Sequence, residues 1–371
     1  MVAKSSRAFI EVFSELEDYR ADEKVLFPLN EILFLAIVSV LTRCEGWVEI
    51  YNYGQNKLEL LRKYFPYTHG IPSVSTICTV IGMIDKRKFE GWFTKWSQNL
   101  VNILPDELIA IDGKTIRGSR TETEKATHVL NAFATKNGIV IAQRTVDVKT
   151  NEIPEIPKLL DDLNIKGAVV STDAMGCQKA IALKIKEKEA DYFLALKKNH
   201  GDLFFDVEAM FSTIDKKLHF YEEINKGHGR IEVRRCWSLL VPDWVKMNNP
   251  GWESLTSICL IESERHIRGA VSIEHRYYIS STEPSIEKHF GYARMHWGVE
   301  SVHWVLDVTF KEDQCLVKNA AENMSVVRKV IMNLIKKYKD RANSKASLSI
   351  IRHTAMLSDD VAQGILSGLF A

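Results

Sequence analysis

Apolar positions recur at helical spacing along the first hundred residues. LNEILFLAIVSVLTRC (29–44), WVEIYNYGQNKLELLRKYF (47–65) and RKFEGWFTKWSQNLVNIL (87–104) each carry an apolar face. Pro28, Pro66 and Pro72 separate these runs. Val74 to Ile84 predicts one more short helix, with Ser73 or Ser75 as its N-cap. The expectation is an all-helical N-terminal domain over residues 1–104.

At Pro105 the period changes. ELIAIDG (107–113) predicts a short buried strand ending in Asp112. THVLNAFATKNGIVIAQRTVD (127–147) predicts a hairpin turning at Asn137-Gly138. EIPKLLDDLN (155–164) is a helix with Ile156, Leu159, Leu160 and Leu163 on one face. GAVVSTDAMG (167–176) is a second buried strand, ending in Asp173. A helix (177–189) and a third short apolar strand, DYFLALKKN (191–199), follow. Three strands, then helix, strand, helix, strand, is the order of a ribonuclease-H-like α/β core, which would set Asp112 and Asp173 side by side. Residues 201 to about 281 predict a β-rich insertion, from GRIEVRRCWSLLV, LTSICLIESE and HRYYISS. From Pro284 the spacing is helical again, through PSIEKHFGYARMHWGVESVHWVL and a mostly helical tail from about 315. The catalytic domain is expected to span 105–371.

Composition narrows the class without choosing a function. The 371 residues are 46% hydrophobic and 26% charged, as in a globular protein of two or three domains. A net charge of +1 announces no nucleic-acid partner, so local charge must carry that argument. The first twenty residues lack the apolar core of a secretory leader. The run at 29–41 is interrupted by Asn30 and Glu31 and falls short of the roughly 20 apolar residues of a membrane span. Six scattered cysteines, with no Cys-x-x-Cys pair, suggest neither a zinc ribbon nor a disulfide framework. A reducing cytoplasm fits best.

The stretch LIAIDGKTIRGS (108–119) holds a Gly-Lys-Thr that resembles the end of a phosphate loop. Such a loop needs a glycine five residues before Gly113, where this chain has Leu108, so no nucleotide cofactor is expected. Asp112 and Asp173 remain, two strand-ending carboxylates that would repel unless a cation or proton compensates them. Mg²⁺ takes carboxylate oxygens and binds substrate phosphates. On the helix near 300, His296, Glu300 and His303 stand at i−4, i and i+3, with Asp307 at i+7. A zinc site of His296, Glu300 and His303 is a rival, lacking the familiar His-Glu-x-x-His order and any cysteine. The other alternative is a core Trp pair, Trp297 and Trp304, with hydrogen-bonded surface histidines.

IAIDGKTIRGS, VDVKTNEIPEIPKLLDDLNIKGAVVSTDAMGCQKAIA, DYFLALKKNHGDL, HGRIEVR, RYYISS and HWGVESVHWVLDVTFKED occur in that order. Together they resemble a DDE transposase of the ISAs-type insertion-sequence family, which includes the H-repeat-associated proteins of Rhs elements. The resemblance covers nearly the whole chain. It implies a catalytic and metal-binding triad of Asp112, Asp173 and Glu300 holding two Mg²⁺ ions, with Mn²⁺ able to substitute and Asp112 between the metals. It further implies hydrolysis at the ends of a mobile element, then strand transfer into target DNA. The DNA partners would be terminal inverted repeats, bound through residues 1–104, and target DNA, with a homo-oligomer in the synaptic complex and no membrane.

Several residues could meet that DNA. Lys114 and Arg117 follow Asp112, and Lys197 and Lys198 leave the third strand at the same sheet edge; for each, a phosphate contact and plain solvation are both open. Arg230 and Arg234 share a strand face in the insertion. His296 occupies the place of an arginine in the signature of related transposases, and Trp297 could stack on an unpaired base. Nine Lys or Arg against four acids between Lys311 and Lys345 suggest a basic helix face. A catalytically idle DNA-binding descendant, and a nuclease or resolvase that does not transpose, are the competing readings.

Overall fold

The computed structural model describes residues 13, 16–21, 25–147, 150–227 and 229–370. Most of the first fifteen residues and His228 of the HGRIEVR motif lie outside them.

Helices α1 (Leu29–Leu41), α2 (Trp47–Asn56), α3 (Leu58–Leu61), α4 (Val74–Met83) and α5 (Lys86–Asn99) come first. Ser73 caps α4 by accepting from the Thr76 amide at 3.2 Å, and Asp85 caps α5 through the Lys88 amide at 2.9 Å. α1 is buried on nearly every side, as its almost continuous apolar sequence requires.

The sheet elements are β1 (Leu108–Thr115), β2 (His128–Ala134), β3 (Ile139–Val146), β4 (Val169–Thr172) and β5 (Asp191–Leu196). α6 (Glu155–Asp161) and α7 (Lys179–Glu187) cross between them. β1 does not end at Asp112; pairing with β2 carries it on to Thr115. Gly138 turns the β2–β3 hairpin at φ +67°, a left-handed position that glycine takes without strain.

The insertion opens with a helix, α8 (Gly201–Thr213), which its polar flanks conceal although Leu203, Phe204, Val207 and Phe211 are buried at helical spacing. Then come β6 (Tyr221–Gly227), β7 (Arg230–Leu240), α9 (Asp243–Asn248), β8 (Ser257–Ile267) and β9 (Ala270–Ser280). It is no separate sheet. β9 pairs antiparallel with β5, giving one sheet of nine strands in the order β3-β2-β1-β4-β5-β9-β8-β7-β6. β5 would otherwise leave an open edge, and β9 closes it.

The helix predicted from Pro284 is two helices, α10 (Ile286–His296) and α11 (Gly298–Val308), meeting at Trp297. α12 (Ala321–Arg341), α13 (Leu348–Leu357) and α14 (Asp359–Leu366) complete the chain. Of the basic face expected on 311–345, the middle is turned inward, while Lys311, Lys318, Arg341 and Lys345 stay exposed. Arg328 and Lys329 are fully buried, and Lys336 donates to the Gly138 carbonyl. α12 instead fills a core shared by the N-terminal helices, the β1–β3 face and α11. A second apolar cluster, under α6, α7 and α8, covers the opposite face of the sheet. Among the described residues no helix is long and apolar enough to cross a membrane.

Candidate active site

The parallel register of β1 and β4 ends at Ile111 opposite Thr172. One step further along each strand stand Asp112 and Asp173. Their adjacency follows from strand order and register together. The Asp173 carboxylate is fixed by two backbone N–H groups, from Met175 (3.0 Å) and Gly176 (3.1 Å). Asp112 accepts from the Gly113 amide at 2.9 Å.

Glu300 stands exposed in the first turn of α11, whose buried residues Val299, Val302 and Leu306 dock on the sheet. His303, one turn on, brings Nδ1 to 3.8 Å from the Asp112 carboxylate, and its Nε2 shares a 3.2 Å hydrogen bond with the Asn131 amide. Asn131 faces Asp112 across the β1–β2 pair. Its carbonyl oxygen is buried with no hydrogen-bond partner.

Burial pushes the Asp112 carboxyl up to about 7; the Gly113 amide opposes this, and the carboxylates of Asp173, Glu152 and Glu300 add to it. The charges of Asp173 and Glu300 thus reach Asp112. Glu152, a fourth carboxylate, was not anticipated. It lies 2.6 Å from His128 Nε2, and that pair closes over Gly113. A Cβ at Gly113 would fall 2.1 Å from the Glu152 oxygen. The glycine thus serves close approach within a strand, not a phosphate-wrapping loop.

Among the described residues no three acidic, histidine or cysteine side chains already converge as a metal cluster. The donor chemistry nevertheless fits a hard divalent cation: several carboxylates, one with a strongly raised pKa, beside an orphaned carboxamide oxygen. The histidines of the rival zinc set are committed to different partners. His296 shares a 2.8 Å bond with Ser171, whereas His303 turns to Asn131.

The expected DNA contacts fare unequally. Lys114 is 5% exposed, its ammonium 2.7 Å from Asp307, 3.2 Å from Glu312 and 3.1 Å from Asp313. Its charge is taken up by these acids inside the protein. His296 is held neutral, its pKa brought down to about 4 by burial and by Arg276, so it offers no cation. Arg117 is 85% exposed, and Lys197 and Lys198 are exposed beyond β5.

Arg230, Arg234 and Trp297 line a groove of about 550 Å³ between β6–β9 and α10. Lys226, Arg265, Arg276 and Arg294 join them, against Glu232 as the single lining acid. Arg234, Arg230 and Arg265 converge on Glu232. The Arg276 guanidinium lies 4.7 Å from the centre of the Trp297 ring. Burial and Arg294 lower the Arg234 pKa, the mark of cations crowded without enough anions. Arg265, Arg276 and Arg294 could not be singled out in sequence, because the register of three strands and the docking of α10 bring them together.

The family model described as "Transposase DDE domain" matches residues 104–334, and a "DDE_Tnp_1-associated" model matches residues 10–97. The chain belongs to the DDE transposase family. Among curated relatives of this DDE transposase is "Putative transposase YncI" of Escherichia coli O157:H7, 38% identical over 350 residues, which are 91% of this chain and 89% of that one. "H repeat-associated putative transposase YhhI" of Escherichia coli K12 is 38% identical over 341 residues, 89% and 90% of the two chains. A solved structure titled as a piggyBac transposase synaptic complex with hairpin DNA aligns over 99% of this transposase and 80% of that chain, at 11% identity and a TM-score of 0.46.

Proposed function

We infer that this DDE transposase cuts phosphodiester bonds at the ends of an insertion sequence and joins the freed ends to target DNA. The observation that carries the reading is the parallel register that sets Asp112 and Asp173 one step beyond the paired ends of β1 and β4, with Glu300 in the first turn of the helix docked on that sheet. Burial chiefly, and the charges of Asp173 and Glu300 in lesser part, raise the Asp112 pKa to about 7 in support. The strand order β3-β2-β1-β4-β5, with β1, β4 and β5 parallel, supports a ribonuclease-H-like core.

Asp112, Asp173 and Glu300 would hold the divalent ions, Mg²⁺ or Mn²⁺. Bound there, such ions lower the pKa of an attacking water and neutralise charge on the scissile phosphate. The chain's own residues do the rest. The Met175 and Gly176 amides orient Asp173, and His303 and Asn131 flank Asp112. The arginine groove binds the DNA backbone, with Arg117, Lys197 and Lys198 as further contacts. Trp297, at the α10–α11 junction three residues before Glu300, offers a ring to an unpaired base. Residues 1–104 recognise the terminal repeats, and two copies of the chain hold two ends together in the bacterial cytoplasm.

The test uses the full chain and duplexes carrying the DNA that flanks its gene. Mg²⁺ or Mn²⁺ should support nicking at the repeat ends, and Ca²⁺ should support binding with little cutting. Asp173→Asn and Glu300→Gln should each abolish nicking and leave binding in Ca²⁺ intact. Vigorous cutting in excess EDTA, or by either variant, overturns the reading. End binding by a wild-type chain that never cuts would favour an idle descendant instead.

A further inference from the structure

We propose that Lys114 is a positioning residue that clamps the strand of Asp112 to the helix of Glu300 and so sets the distance between those two carboxylates. The inference rests on the function proposed above and deepens it.

The geometry begins with two periodicities. Asp112 and Lys114 are two apart on β1 and share a face. Glu300, His303 and Asp307 stand at i, i+3 and i+7 on α11 and share a face. The two faces meet rung by rung. His303 approaches Asp112 at 3.8 Å, and Asp307 approaches Lys114 at 2.7 Å. The chain beyond each element is pressed together as well. The Arg117 amide donates to Asp313 at 3.2 Å. A Cβ on Gly118 would lie 2.4 Å from the Asp313 carbonyl and 2.6 Å from that of Gln314. The GKTIRGS motif is thereby explained from end to end. Its first glycine admits Glu152, its lysine gathers the acids around α11, and its second glycine lets the two turns touch.

Charge makes the clamp necessary. Asp307, Glu312 and Asp313 converge from the end of α11 and the turn after it, and Lys114 is the cation within 4 Å of all three. Removing its ammonium leaves Glu312 to Arg328 and Lys329 and Asp313 to Arg117, but strips Asp307 of the one cation within 4 Å of it among the described residues and leaves it facing the other two acids against β1. Near Asp112 the polar rung that remains is His303, 3.8 Å from the carboxylate. Held then chiefly by the apolar contacts of Val299, Val302 and Leu306, α11 would shift along the sheet, and Glu300 with it. A displacement of about 1 Å at a catalytic group can cost about 100-fold in rate.

The experiment compares wild type, Lys114→Met, Lys114→Arg and Asp307→Asn as full-length chains. Three readouts are taken: kcat and KM for end cleavage, affinity for Mn²⁺ alone by titration without DNA, and hydrogen exchange of 298–308. Lys114→Met should lower kcat about 10- to 100-fold, with KM for DNA within about 2-fold. It should weaken Mn²⁺ binding about 10-fold and speed exchange in α11. Asp307→Asn should move all three in the same direction, and Lys114→Arg should restore most of each. Should Lys114→Met fail to fold, Asp307→Asn carries the test, since Lys114 then keeps two acidic partners. A variant that weakens DNA binding and flattens its salt dependence, yet binds Mn²⁺ and exchanges like wild type, overturns the proposal in favour of a phosphate contact. Unchanged kcat, Mn²⁺ affinity and exchange also overturn it. If no chain cuts DNA but Mn²⁺ affinity and exchange still separate Lys114→Met from wild type, the clamp stands and the reading as an active transposase fails.

Discussion

At neutral pH the Asp112 carboxyl of the folded chain stands between acid and carboxylate. The side chain keeps 25% of its accessibility, and burial, with Asp173, Glu152 and Glu300 adding, moves its pKa from 3.8 to about 7. Between those two values the folded state retains a proton that the unfolded chain has released. Stability is therefore lost as pH rises through that window and levels off above the folded pKa. From about pH 5 to pH 7 the loss is bounded near 3 kcal/mol, at about 1.4 kcal/mol per pH unit. Screening by the water still in contact with the carboxylate brings the expectation to about 2 kcal/mol. Asp112→Asn keeps the shape and cannot ionise. Its stability relative to wild type should climb by about 2 kcal/mol between about pH 5 and pH 8 and then stay level. Urea denaturation at half-unit steps of pH measures this directly. Mn²⁺ should narrow the gap by stabilising wild type more than the variant. A stability difference that stays flat across the whole interval would refute the reasoning, because Asp112 would then ionise normally in the fold.

Gly118→Ala should destabilise by about 3 kcal/mol or more and Gly113→Ala by about 1 kcal/mol, since the former meets backbone carbonyls and the latter a side-chain end that can move; urea midpoints in the reverse order would sink this account of the motif. In the groove, Arg276→Ala and Arg294→Ala should each reduce the slope of log affinity for end DNA against log salt by about 0.7–0.9, one phosphate's share. Unchanged slopes in both would move the DNA path elsewhere.

Local chemistry was enough to find most elements. The apolar period switched at Pro105, the Asn137-Gly138 turn marked the hairpin, and Ser73 capped its helix as its side chain allows. Short apolar runs ending in Asp112 and Asp173, and Glu300 on a helix, were also legible, because strand and helix periods are properties of neighbours in sequence. Distant segments decide the rest. Asp112 could not be seen to lie inside β1, since the strand is prolonged by its pairing with β2. α8 was hidden because its apolar face gains meaning only against the sheet. Lys114 read as a phosphate contact or a solvated cation, and Arg328 and Lys329 fell within the expected basic face, yet all three are buried, and acids brought in by the fold, Glu312 at both lysines and Glu90 at Lys329, permit this. Sequence by itself determined which residue types could bind a cation, and in what local geometry. Only the tertiary structure decided that Glu152, Asn131 and His303 would stand beside Asp112, and that five arginines from four elements would share one groove, because strand register and helix docking set those distances and no local period encodes them.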